Sequence, residues 1–397
     1  MKKICLLLVF CLLLAVCSAA AGETADVLLE EAQAAMAAEN YEEYISLLQK
    51  AADLGDDTAM LWLGNCYGEG TGVEMNSEEA VKYYRMAAEK GNAVAKYNLA
   101  FCYVDGTGVE PDAEKAEELL REAADGGDTV SQYALGYCYF YGYGIRQDYE
   151  AAVKYLVMAA DQENVPAYYV LGVSSEYGLG TEQNLQKALD YYRTGAEMGN
   201  DGCQYRMGVM YQLGYGVEQN YDKAFEYYSL AAEQFYPEAL TALGYFYGQG
   251  FGTEQDLEKM LEYYRLGADA GEPMAMFNLG CCYRDATGVE QDFNEMLKYF
   301  QAAVELGNAN AQFNLGFAYY TGEQGVEQDY DEAFRLYQLA ADQGFPVALF
   351  AVGDCYYLGR GVEQNREAAV EWYRKALDAG YTPDAEDQKH IDDAMGK

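Results

Sequence analysis

Apolar and polar positions along this chain recur with a period of 36 residues, and inside each period they follow a helical rhythm. An apolar anchor stands at Leu63, Leu99, Leu135, Leu171, Met207, Leu243, Leu279, Leu315 and Val352; every step is 36 except the last, which is 37. The extra residue falls in Thr321-Gly322-Glu323-Gln324-Gly325, between helical stretches, where an insertion leaves the buried faces in register. Four positions before each anchor is a small residue, from Ala59 to Ala348, and four after it a Tyr in eight of nine copies. Residues at i, i+4 and i+8 share one face, so small residue, anchor and Tyr predict the buried stripe of a first helix.

Directly after the anchor comes Gly in eight of nine copies, with Ala100 the exception. Glycine costs roughly 1 kcal/mol against Ala inside a helix, so a second helix is expected to approach closely there. Paired glycines such as Gly70/Gly72 and Gly142/Gly144 predict left-handed helix ends. A Glu-Gln strap then leads to Asp or Asn in every copy (Asn76, Asp112, Asp148, Asn184, Asn220, Asp256, Asp292, Asp329, Asn365), the N-cap of a second helix. That helix carries a bulky pair, as in Tyr83-Tyr84 or Trp372-Tyr373, then Ala-Ala or Gly-Ala and a terminating Gly such as Gly91 or Gly307.

The composite small-x-x-x-Leu-Gly-x-x-Tyr-x-x-Gly-x-Gly-Val-x-x-Asp…Ala-x-x-Tyr-Tyr-x-x-Ala-Ala…Gly resembles the Sel1-like repeat family, relatives of the tetratricopeptide repeats. The resemblance implies an all-α, right-handed superhelical α-solenoid of about nine helix–turn–helix repeats with helical caps at both ends, used to recruit or assemble other proteins. Departures are few: Ser175 replaces one Tyr, Ala286 one loop Gly, and only the last copy has Trp-Tyr. The expected organisation is a leader at 1–21, a capping helix pair at 22–56, nine repeats at 57–380 read as one uninterrupted array, and a capping helix at 381–397. Lys2-Lys3, the apolar run from Ile4 to Val16 and Ser18-Ala19-Ala20-Ala21 have the three parts of a secretory signal peptide, most simply cut before Gly22. A retained anchor and lipidation at Cys17 are the alternatives. The expected location is therefore secreted, periplasmic or cell-envelope, in a bacterium.

Composition sharpens the class. The formal charge is −39, and loss of Lys2 and Lys3 with the leader makes it more negative by two. Such a field opposes nucleic acid and anionic membranes, and it favours solubility and encounter with basic partners. Ten cysteines drop to seven without the leader, five of them (Cys66, Cys102, Cys138, Cys282, Cys355) in the slot three after the anchor. Equivalent slots in adjacent repeats are too far apart for a Cα separation below about 7 Å, so core packing is expected rather than bridging. Cysteine-rich relatives pair a thiol late in helix two with one opening the next repeat; Cys203 holds the second place, and Ala196 and its neighbours offer no partner. Cys281 is the thiol expected to face outward.

Catalysis has little to stand on. The only histidine, His390, lies near the chain end and reads as a surface residue. The Gly-x-Gly loops lack the Lys and preceding strand of a phosphate site. The chain is read as a non-enzymatic monomer with no cofactor and no metal. What remains is surface recognition. By resemblance, residues one before and two after the anchor line the inner curve: Asn98, Arg206, Asn278 and Asn314 in the first set, Phe101, Tyr137, Tyr245 and Phe317 in the second. The Asn side chains can hold a peptide backbone through amide hydrogen bonds or can pack repeat on repeat. Tyr and Phe replace the Lys of carboxylate-binding relatives two before the anchor, which disfavours a C-terminal carboxylate ligand. The first expectation is a protein or peptide partner in that groove. The forty tyrosines supply the alternative, a carbohydrate or peptidoglycan bound on a Tyr-rich surface.

Overall fold

The computed structural model describes residues 24–396, so the proposed leader lies outside the described residues. Every regular element among them is a helix. The chain falls into two compact units, one up to Met198 and one from Gly199.

The first unit contains five antiparallel pairs: α1/α2 (Ala25–Ala37, Tyr41–Asp53), α3/α4 (Asp57–Glu69, Ser77–Glu89), α5/α6 (Ala93–Asp105, Ala113–Asp125), α7/α8 (Thr129–Tyr141, Tyr149–Ala160) and α9/α10 (Val165–Tyr177, Leu185–Glu197). Each first helix packs on its own second helix, and each second helix on the next first helix. Helices α5 and α9 also touch α7, so the first helices form a continuous face. The second unit repeats the plan in α11/α12 (Asp201–Leu213, Tyr221–Glu233), α13/α14 (Pro237–Gln249, Leu257–Asp269), α15/α16 (Pro273–Asp285, Phe293–Glu305), α17/α18 (Ala309–Thr321, Tyr330–Asp342) and α19/α20 (Pro346–Leu358, Arg366–Asp378). It ends in α21 (Ala385–Met395), which rests on α19 and α20.

All nine anchors are buried. A Cβ placed on Gly64 would sit 2.5 Å from the Tyr84 ring, on Gly208 2.6 Å from Tyr228 and on Gly353 2.7 Å from Tyr373. The glycine cost is therefore offset by an aromatic ring seated against bare backbone. The facing residue stands 20 positions after the glycine, or 21 for Gly316 and Tyr337 across the one-residue insertion; it is Leu156 opposite Gly136, and Leu120 holds the place for Ala100.

The straps carry more than the sequence predicts. All nine Asp/Asn residues cap their second helices as expected. The preceding Gln also works: Gln147 donates to the Phe140 carbonyl at 2.9 Å, Gln219 to Gln212 at 2.7 Å and Gln364 to Tyr357 at 2.7 Å. Each amide satisfies an orphan carbonyl at the end of the first helix. The second loop glycine has a packing role: a Cβ on Gly180 would collide with the Tyr149 carbonyl, and one on Gly361 with that of Tyr330, where a helix of the preceding repeat begins.

The seven cysteines from Cys66 onward are free thiols. Cys281 departs from expectation: it is half-buried and packs against a cluster containing Phe300 and Leu315. Burial pushes Cys138 and Cys281 up to about 11 and Cys282 and Cys355 to about 12, so these thiols stay neutral and unreactive near pH 7.

Candidate ligand-binding face

Charge divides between the two kinds of helix. Helices α7 and α17 contain no Asp, Glu, Lys or Arg, whereas acids crowd second helices such as α6. Many lysines lie over aromatic rings on the second-helix side, among them Lys154 over Tyr155 at 4.5 Å, Lys259 over Tyr247 at 4.9 Å and Lys375 over Trp372 at 4.0 Å. Acids are thus sparse on the first-helix face, where Asp105 and Glu238 stand among aromatic and amide side chains.

In the first unit, Asn98 is half-buried and donates its amide to Asn65 Oδ1 at 3.2 Å; the same oxygen accepts from the Tyr84 hydroxyl at 2.9 Å. This geometry ties one repeat to the next. Phe101 is half-buried, with Tyr97 and Tyr143 at ring distances of 4.8 and 6.4 Å. Tyr137 is exposed and lies in a file with Tyr133 and Tyr141, at 6.0 and 4.5 Å.

In the second unit, Asn314 accepts from the Arg284 guanidinium at 2.8 Å and donates to the Asn310 carbonyl at 2.8 Å, so its amide is also engaged within the array. Arg206 is half-buried, and its charge opposes the upward push that burial gives the Tyr228 phenol. Phe317 is exposed on α17. Tyr245 and Asn278 come together: they line a groove of about 570 Å³ with Tyr205, Leu213, Glu238 and Met274, from three successive first helices.

The groove exists because of one small residue that sequence reasoning passed over. Two before the anchor, neighbouring repeats have Tyr205 and Phe277, but α13 has Thr241, a groove-lining residue. Its hydroxyl donates to Glu272 Oε2 at 2.6 Å, and Glu272 caps α15 by accepting from the Met274 and Ala275 amides. These polar groups in the groove wall are satisfied, while Glu238 at the rim is exposed. The site can hold an apolar side chain with a cationic neighbour.

A cleft of about 620 Å³ on the second-helix side of the first unit is lined by Glu117, Arg121, Asp148 and Lys154, and several of these side chains are engaged within the array. Arg121 donates to Glu117 and to the Tyr139 hydroxyl, and Asp148 caps α8. His390 departs from the surface reading: its Nδ1 lies 3.1 Å from Asp354 Oδ1, which also accepts from Tyr373 at 2.6 Å, and its ring lies 5.4 Å from Tyr357. This contact links α21 to α19, and no cluster of potential metal ligands occurs among the described residues.

The family model for the Sel1 repeat matches residues 36–56, 58–92, 93–128, 129–164, 165–200, 202–234, 237–272, 273–308, 309–345 and 346–381. The chain belongs to the Sel1 repeat family. Ten segments match; the first, 36–56, takes in α2 of the N-terminal pair. Solved structures agree. The chain is similar to c5321, described as a protective antigen present in uropathogenic Escherichia coli strains displaying an SLR fold, with 28% identity over 95% of this chain and 92% of that one and a TM-score of 0.63. It is also similar to a Sel1 repeat protein from Oxalobacter formigenes, 28% identical over 79% of this chain and 89% of that one, with a TM-score of 0.56. No curated protein matches in sequence. The Sel1 fold is an all-α solenoid; Sel1 repeat proteins are generally non-enzymatic and generally bind proteins. Among the described residues no helix is long and apolar enough to cross a membrane.

Proposed function

We propose that this Sel1 repeat chain is an exported, non-enzymatic scaffold that captures a protein segment on the first-helix face of its second unit. The observation that carries the reading is the groove between α11, α13 and α15, which joins Tyr245 to Asn278 and leaves the Glu238 carboxylate at its rim. An aromatic wall, an amide and a free carboxylate suit an extended segment with a bulky apolar residue beside Lys or Arg. The net charge of −39 adds long-range attraction for such a segment, screened beyond about 8 Å at physiological salt. Export rests on the leader-like residues 1–21, and the description of the Escherichia coli relative as a protective antigen supports it.

A displayed peptide library panned on the purified protein tests the binding. Enriched sequences should place a large apolar residue next to a base, and Tyr245→Ala or Glu238→Lys should abolish their capture. Failure to enrich any such pattern would end the proposal. Amino-terminal sequencing of the protein from its native cell checks export: a start at Gly22 is expected, and a start at Met1 in the cytosolic fraction would contradict it.

A further inference from the structure

We propose that the tyrosine strip on the first-helix face of the first unit is a binding platform for a neutral polysaccharide. Tyr133, Tyr137 and Tyr141 follow one another along α7 at successive turns, and Phe101 with Tyr143 supplies further rings. Tyr137, Tyr141 and Tyr143 are 38, 48 and 46% exposed, so their rings are open to a ligand.

The platform is held in place before any ligand arrives. Tyr143 stands between Gly142 and Gly144, both at positive φ (68° and 69°), and its hydroxyl donates to Asp105 Oδ1 of α5 at 2.7 Å. A Cβ on Gly144 would collide with Val104, so the loop is seated directly on the preceding repeat. The Tyr143 side chain therefore has little freedom left to lose on binding.

Charge selects the ligand class. Helix α7 has no charged side chain, and the one cation on α5, Lys96, is paired with Glu122 at 2.7 Å. An anionic polymer would meet a chain of net charge −39 with no free base on those two helices. The C–H faces of a pyranose are apolar and slightly positive, which matches the negative ring faces of tyrosine. Sugar hydroxyls both donate and accept, so they can pair with the phenols and with Asp105. A proline-rich segment would stack on the same rings, but proline lacks an N–H and offers the exposed phenols no backbone donor, whereas sugar hydroxyls supply donors along the whole strip.

Affinity electrophoresis of the whole protein through gels containing laminarin, glucomannan, xylan or polygalacturonate tests the inference. Retardation by at least one neutral polymer and none by polygalacturonate is expected. The triple variant Tyr137→Ala, Tyr141→Ala, Tyr143→Ala should run unretarded with circular dichroism unchanged. Tyr141→Ala alone, a milder change, should weaken binding about tenfold. Tyr245→Ala should leave retardation intact, which separates this site from the peptide groove. The inference is overturned if no neutral polymer retards the protein, if polygalacturonate retards it equally, if the tyrosine variants behave as wild type, or if an oligoproline peptide binds the strip and the glycans do not.

Discussion

The first-helix faces around Leu135 and Leu243 are built on the same scaffold and present opposite surfaces. Helix α7 carries Tyr133, Tyr137 and Tyr141 in file, a filled aromatic strip. Helix α13 has Thr241 where α7 has Tyr133 and Gln249 where it has Tyr141, and the missing ring at Thr241 opens a groove flanked by Tyr205 and Tyr245. Both keep the buried anchor, the glycine after it and the left-handed C-cap at Gly142 or Gly250. The comparison teaches that shared positions hold the backbone and that single changes beside the anchor convert a platform into a cavity.

The largest effects should come from breaking what the two faces share. Leu135→Ala and Leu243→Ala should each cost roughly 2–5 kcal/mol in urea unfolding, since both side chains are buried. An unchanged midpoint for either would place that anchor outside the core. Filling the groove is the next test. Thr241→Tyr should convert α13 toward α7 and eliminate peptide capture, with the helix content by circular dichroism retained; undiminished capture would separate the groove from binding. Tyr245→Ala should lower stability by less than about 1 kcal/mol while removing peptide capture, because its exposed ring touches Phe251 but is not in the core.

The smallest effect concerns a position equivalent to Tyr137 and Tyr245. Asp354, two after its anchor, accepts from Tyr373 as Asn65 does from Tyr84 in the first repeat. Burial raises the Asp354 carboxyl above its ordinary 3.8, with Tyr373 and His390 acting in the opposite direction. A raised folded-state value means that its stabilising contribution is present below 3.8 and is lost as pH rises through the folded value. Asp354→Asn removes that loss while keeping an acceptor for Tyr373. The variant should therefore gain on wild type as pH rises from about 4 through the raised folded value. A difference in urea midpoint that shrinks over this range would reverse the assignment.

Much of the molecule was legible beforehand because its signals are local and repeated. Asn76 or Asp148 caps a helix through its own next turn, and a left-handed Gly142 needs no information from elsewhere in the chain. The candidate face was legible as a set of positions but not as a site. Asn98 and Asn314 were equally suited to ligand or packing, and their amides are used by Asn65 and Arg284, some thirty residues away. Thr241 gave no signal because its meaning is an absence of bulk between neighbouring helices. The direction of Tyr143 is set by Asp105, 38 residues earlier in the chain. His390 likewise found Asp354 only through the docking of α21.

By itself, then, the sequence determined the repeat length, the helix pairs, their caps and the net charge, since each depends on residues within one period or on composition alone. Only the tertiary structure decided which amides are occupied, where a groove opens and which rings stay exposed. The physical reason is that packing consumes side chains across repeats, and a surface consists of what that packing leaves unpartnered.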